Sequence, residues 1–292
     1  MQPRDLRNLF LLAAIWGGSF LFMRLAVNDF GPMAFVEMRI GISAIFLLAV
    51  SALMGKLAIL KTHWKPIAVC GIVNAAIPFY CFAYAAQSLP AGTLAVINAM
   101  TPMFGALIAR AWLQEHLTWA SLAGLFIGFA GIIVLVYEDL SFGAQGEGWM
   151  VLIAMTGPFS YAVAACYTTK YLKGIDPIAI ATGSVATSAI LLAPLAIWAW
   201  PSTPISNVAW ASAAAIAILC TGIAYIIFFH LIARVGSTKT ITVTFLVPMF
   251  GIFWGVMILG EALTLHLLLG TSIVLLGTML ATGIIGRKAA SA

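Results

Sequence analysis

Two ionisable residues sit inside an otherwise apolar run: Glu37 and Arg39, five and seven positions past Pro32. At about 1.5 Å per helical residue they lie roughly 8–10 Å into that segment. If the surroundings are hydrocarbon, each charge costs about 2.5–3.5 kcal/mol or more. Residues two apart on a helix point about 200° apart and cannot pair as i, i+4 neighbours do, so each needs its own partner. Two roles are open to Arg39. It can receive the carboxylate of a small solute through charge-assisted hydrogen bonds, or it can snorkel outward or bond the carbonyls of a neighbouring helix. Glu37 is the one deep carboxylate, which leaves both facilitated movement and proton coupling through Glu37 open.

Other polar and aromatic residues recur at helical spacing. Tyr80 and Tyr84 share a face, as do Thr221, Tyr225 and Phe229; Ser160 and Tyr161 follow Gly157-Pro158, and Trp16 and Ser19 flank Gly17-Gly18. Such a set suits a transport cavity, whose walls are broad and apolar with a few hydroxyls. Asn98, Thr101, Pro102 and Gly105 fall at i, i+3, i+4 and i+7, and Thr244, Val247, Pro248 and Gly251 repeat that spacing. A polar stripe beside a helix-breaking proline frees carbonyls and offers a hinge. Gly17, Gly18, Gly157 and Pro158 are further expected breaks. His230 is a candidate proton relay or a helix-end residue beside Arg234. The cysteines (Cys70, Cys81, Cys166, Cys220) show no CxxC pairing and read as small hydrophobes. With no metal-ligand or nucleophile–base spacing and no Walker-type loop, neither an enzyme nor direct ATP drive is indicated, and no cofactor or metal is expected.

What must position these residues is a stack of membrane helices. The chain is 63% hydrophobic and 8% charged, against about 25% charged in soluble domains. Its net charge of +5 is scattered between apolar runs, unlike the clustered basic face that binds nucleic acid. It is also a duplication: Pro102-Met103-Phe104-Gly105 returns as Pro248-Met249-Phe250-Gly251, an offset of 248 − 102 = 146. The same offset carries Glu115 onto Glu261, Gly124 onto Gly270 and Gly131 onto Gly277. A window of about 20 apolar residues predicts spans near 6–27, 32–54, 65–87, 91–112, 118–137, 148–171, 176–199, 209–233, 237–259 and 264–286. The first run is longer than a signal peptide's core of about 7–15 residues, and it reads as a retained span.

Residues 1–137 therefore form one five-span repeat and 148–292 a second, joined by 138–147, whose charged residues are Glu138, Asp139 and Glu147. With both termini cytoplasmic, twelve of the fourteen basic residues fall at the inner face, leaving 14 − 12 = 2, Arg24 and Arg39. An odd count per copy inverts the second copy, the architecture of secondary transporters. The glycines of the fifth and tenth spans are expected to serve close helix packing. Trp64, Trp119, Trp149, Trp198 and Trp200 are expected in the interfacial belt.

Trp16-Gly17 with Phe20, Arg39, and the doubled pattern Pro102, Glu115, Gly124, Gly131 and Pro248, Glu261, Gly270, Gly277 resemble the drug/metabolite transporter superfamily, in its ten-span EamA-type branch. Within it the sequence looks closest to the bacterial YddG-like amino-acid exporters. The resemblance implies an all-α basket in which spans 1–4 and 6–9 surround a central cavity, with spans 5 and 10 outside. It implies a small organic solute as partner. The second half departs from the pattern, having no second Trp-Gly. The expected function is export of amino acids, aromatic or large neutral ones favoured, or related metabolites across a bacterial inner membrane by alternating access. The rivals are a drug or nucleoside exporter, a membrane-embedded enzyme, and a channel or scaffold.

Overall fold

A computed structural model describes residues 2–137 and 148–284; the joining segment expected at 138–147 lies outside them. The described residues form an all-helical bundle. Ten helices make its frame: α1 (Pro3–Phe30), α2 (Pro32–Leu53), α3 (Trp64–Ala85), α4 (Ala91–Trp112), α5 (Trp119–Leu135), α6 (Gly148–Tyr171), α7 (Pro177–Trp198), α8 (Asn207–Val235), α9 (Val243–Leu259) and α10 (Leu265–Ala281). Seven are long and apolar enough to cross a membrane; α5, α9 and α10 are shorter apolar helices. A short helix, Leu57–Thr62, and a single turn, Ser237–Thr240, complete the set.

The helix ends follow local chemistry. Pro32 and Pro177 start α2 and α7 at the first turn, where a missing N–H costs nothing. Thr118 and Thr264 cap α5 and α10 by accepting from the amides of Ser121 and Leu267, which satisfies a donor that the first turn leaves free. Both pairs keep the 146-residue offset. So do the positive backbone angles of Gln114 (φ 59°) and Gly260 (φ 68°).

Two pairs of equivalent helices, α5 with α10 and α2 with α7, meet antiparallel. Along α5 and α10, Gly124 faces Ala281, Gly128 faces Gly277, and Gly131 faces Val274. A Cβ built on Gly270 would stand 2.6 Å from the Leu135 Cα, so glycine is what lets the two backbones touch, as expected for these positions. α2 and α7 also run oppositely, with Ser51 Oγ 2.7 Å from Thr182 Oγ1 and Lys56 Nζ 2.6 Å from Asp176. Around this frame, large apolar side chains face outward: Trp119 and Trp198 are 86% and 88% exposed.

Of the expected breaks, the one beside Pro102 is found, and those in α1, α6 and at Pro248 are not. α1 runs unbroken through Gly17 and Gly18, and α6 through Gly157 and Pro158. A Cβ on Gly17 would lie 2.6 Å from the Phe250 Cβ; this residue serves the α1–α9 contact. α4 does break, into Ala91–Asn98 and Thr101–Trp112, next to Pro102. Its counterpart Pro248 lies inside continuous α9, and the turn at residues 241–242 precedes that helix. The irregularities that do match are π-helical segments, Ile72–Ala76 within α3 and Ile218–Ile223 within α8. Their first residues are 218 − 72 = 146 apart.

Candidate functional site

The two π-helical segments flank the buried cation. A π-turn shifts the i→i−4 ladder and leaves backbone carbonyls for other donors, which is why such turns recur at functional sites. Here the Ser160 hydroxyl donates to the Val73 carbonyl at 2.6 Å, and the Ser43 hydroxyl donates to Ala217, just before the second segment, at 3.0 Å. The Cys220 thiol donates to the Ile15 carbonyl at 3.1 Å. The segments are thereby tied to α6, α2 and α1.

Arg39 lies between them, 7% exposed. Its Nε donates to the Thr221 hydroxyl at 3.4 Å, and its guanidinium carbon stands 3.6 Å over the Phe79 ring centroid. Phe79 and Phe82 each pack on Tyr161 at 6.4 Å between centroids. Tyr161 and Tyr225 fall within electrostatic reach of the cation, and Tyr225 shares a hydrogen bond with Asn74 of the first π-segment. Among the described residues no carboxylate approaches Arg39 as an ion pair. Stacking on a ring occupies a guanidinium's face and leaves its in-plane N–H donors for an acceptor.

Glu37 is not that acceptor. It lies on the stripe of α2 that carries Gly41 and Ile45; its Oε1 stands 3.5 Å from where a Gly41 Cβ would be, and Ile45 is 73% exposed. Its Oε2 is buried without a hydrogen-bond partner among the described residues. The two residues do not pair with each other, but the separate partner expected for Glu37 is not found among the described residues, whereas Arg39 has Thr221 and Phe79.

The remaining expected residues divide into groups. Tyr80 and Tyr84 sit 6.1 Å apart between centroids and Tyr225 and Phe229 6.0 Å apart, each pair partly open. Trp16 packs on Phe228 at 5.2 Å, and Ser19 is buried. Thr101 and Thr244 do not extend a free polar stripe: their hydroxyls donate to the carbonyls of Asn98 and Ile241, three residues back, at 2.7 and 2.8 Å. A Cβ on Gly251 would touch Ala95, whereas Gly105 has nothing within 4 Å of where its Cβ would be. His230 is exposed, and Arg234 pairs instead with Asp5 at 2.8 Å.

Sequence reasoning missed a second constellation, at the bundle end where α1 finishes. The Glu261 carboxylate accepts from the first amides of α4, Ala91 N at 2.7 Å and Gly92 N at 3.2 Å. A helix N-terminus stabilises such a negative group. Arg24 stands 3.9 Å from the same carboxylate and donates to the Ala86 carbonyl at 2.8 Å. The available signal was Arg24 itself, one of the two basic residues that the expected orientation leaves away from the inner face. Phe79, Phe82 and Asn74 were missed because nothing in their types separates them from core residues.

Comparison with known proteins accords with this architecture. The model of the EamA-like transporter family matches residues 8–137 and again residues 148–283. The uncharacterized transporter YvbV of Bacillus subtilis is 25% identical over 95% of this chain and 92% of its own length. A probable terminal-alkyne amino-acid exporter of Streptantibioticus cattleyicolor is 22% identical over 93% of this chain and 91% of its own. A crystal structure covering 98% of this chain and 99% of its own superposes with a TM-score of 0.68 at 19% identity, a likeness of fold.

Proposed function

The chain belongs to the EamA-like transporter family, and we propose that within it the protein exports amino acids or related small metabolites across a bacterial inner membrane by alternating access. In this reading residues 1–137 and 148–292 are two five-span halves, inverted with respect to each other, and both termini are cytoplasmic. The antiparallel meeting of α5 with α10 and of α2 with α7 supports the inversion, and the charge asymmetry supports the orientation.

One observation carries the choice of substrate: Arg39, a buried cation without a carboxylate partner among the described residues, stacked on Phe79, whose ring packs on Tyr161. A solute that supplies a carboxylate completes the site, and the rings around it accept an aromatic or large neutral side chain. Drug or nucleoside export is the second reading. A cation site wants carboxylates in its wall, and Glu37 lies on a different stripe of α2 from Arg39. The test is uptake into proteoliposomes across labelled amino acids, nucleosides and quaternary amines, with and without a pH gradient, for the natural chain and for Arg39→Gln and Arg39→Lys. We expect amino acids to move, Arg39→Gln to leave only a small but measurable residual rate and Arg39→Lys to retain much of the natural rate, since a bound carboxylate tolerates either cation. Movement of quaternary amines but not amino acids would overturn the reading.

A further inference from the structure

The two loops that carry Glu115 and Glu261 have the same local form but opposite states. The amide of Glu115 bonds the Ala109 carbonyl at 3.2 Å and that of Glu261 bonds Gly255 at 3.1 Å. Each follows a residue of positive φ and leads to a threonine cap, all at the 146-residue offset. Local geometry therefore aims both carboxylates alike. Yet Glu261 is docked on the first amides of α4, whereas Glu115, at the opposite end of the bundle, is exposed without a hydrogen bond or ion pair among the described residues.

Helix contacts at the two ends differ in the same sense. At the Glu261 end, Gly251 of α9 packs against Ala95 of α4, and Ala95 is fully buried. The counterpart of that contact pairs Gly105 with residue 95 + 146 = 241. Gly105 faces open space and Ile241 is 46% exposed. One pair of helices is thus closed at one end and parted at the other. The amides equivalent to Ala91 and Gly92 are those of residues 91 + 146 = 237 and 92 + 146 = 238, which begin the turn Ser237–Thr240.

We propose that Glu261 and Glu115 are alternating latches: Glu261 on the α4 amides holds the outer end shut in the state seen, and Glu115 on the amides before α9 holds the inner end shut in the opposite state. This rests on the alternating-access reading above. The chemistry suits a reversible gate. A carboxylate on two backbone amides forms charge-assisted bonds, and water satisfies both partners when they part. Arg24 strengthens the outer latch. The residue equivalent to Arg24, at 24 + 146 = 170, is also basic, but Lys170 stands over the rings of Trp112 and Tyr171 and makes no ion pair with a carboxylate among the described residues, so Glu115 has no such support in the state seen.

Hydrogen–deuterium exchange of the full chain in lipid nanodiscs tests this, read on segments 89–97 and 236–243. Glu261→Gln should speed exchange in 89–97 by on the order of tenfold, the scale of one charge-assisted bond lost, and should slow it in 236–243 as the inner end closes. Glu115→Gln alone should leave both segments near the natural values, and added to Glu261→Gln it should cancel the slowing. If Glu261→Gln speeds 89–97 with no reciprocal slowing, Glu261 is a local cap and the latch is wrong. Should that variant not fold, Arg24→Gln should give the same reciprocal shift at smaller size, and no shift overturns the proposal. Segments that respond to a transported amino acid but not to Glu261→Gln refute the latch and leave alternating access standing. Segments that respond to neither refute both.

Discussion

Removing the ring beneath Arg39 should damage substrate recognition more than removing its hydrogen bond to Thr221. The guanidinium carbon is 3.6 Å from the Phe79 centroid, well within the roughly 6 Å range of cation–π attraction, and for a desolvated cation that contact contributes about 2 kcal/mol. The Thr221 bond is 3.4 Å long, beyond the usual 2.7–3.2 Å for such donors, and contributes little. At about 1.4 kcal/mol per tenfold, Phe79→Leu should raise the KM for a transported amino acid by roughly 10–30-fold with little change in maximal rate, and Thr221→Val by about threefold or less. Leucine keeps the volume near that of the ring, so the change isolates the face on which the cation rests. Initial rates in proteoliposomes over a range of substrate concentrations give both parameters. In an Arg39→Gln background the Phe79→Leu effect should vanish, because the ring then has no charge to hold. Equal losses in both backgrounds, or a larger loss from Thr221→Val, would refute the claim that Phe79 acts through Arg39.

Other expectations follow from single contacts. Gln114 holds φ 59° where its counterpart is Gly260; Gln114→Gly should therefore raise stability in detergent by up to about 1 kcal/mol and Gly260→Ala lower it by a similar amount, read as opposite shifts in Tm. Gly277 meets Gly128 backbone to backbone, so Gly277→Leu should force α5 and α10 apart and lower Tm by an amount matching an overpacking cost of about 1–3 kcal/mol or more; an unchanged Tm contradicts the close approach. Partial burial alone would raise the carboxyl of Asp176, but its bonds to Lys56 and to the amides of Ala179 and Ile178 prevail and hold it below the ordinary range. Its contribution to stability is thus present above the unfolded-state value of about 3.9 and is lost as pH falls through the lower folded value. Tm measured down an acid series should drop there, and Lys56→Met should lessen the drop.

The helices were legible because long apolar runs stand out in the sequence and because Gly31-Pro32, Pro90-Ala91 and Asp176-Pro177 punctuate them. Their regularity was not. The same four residues, Pro-Met-Phe-Gly, accompany a break in α4 and none in α9, so the proline cannot be the deciding part. Pro102 denies the Asn98 carbonyl its amide partner, and the Thr101 hydroxyl takes that carbonyl instead at 2.7 Å, while the Thr278 hydroxyl reaches the neighbouring Ala99 carbonyl at 3.3 Å. The equivalent positions 101 + 146 = 247 and 278 − 146 = 132 are Val247 and Ile132. Neither can donate, and α9 continues through Pro248. A hydroxyl that competes for a backbone carbonyl decides between turn and helix, and its effect here depends on a second hydroxyl 177 positions away in sequence, 278 − 101.

The candidate site shows the same division between what a sequence displays and what folding adds. Charge asymmetry left two of fourteen basic residues over. Those two, Arg24 and Arg39, are the ones found at the Glu261 latch and between the π-helical segments. A bulk rule thus located them by failing at them, since a cation retained against the insertion cost needs a specific partner to hold it. The partners were invisible from the same evidence. Thr221 lies 182 residues from Arg39, and Glu261 lies 261 − 24 = 237 from Arg24, each in the opposite copy of the duplication. Arg24–Glu261 and Arg39–Thr221 join the two copies, while Arg39 rests on Phe79 within its own copy. The contacts that hold these two cations are therefore set partly by residues near them in sequence and partly by residues that only folding brings to them.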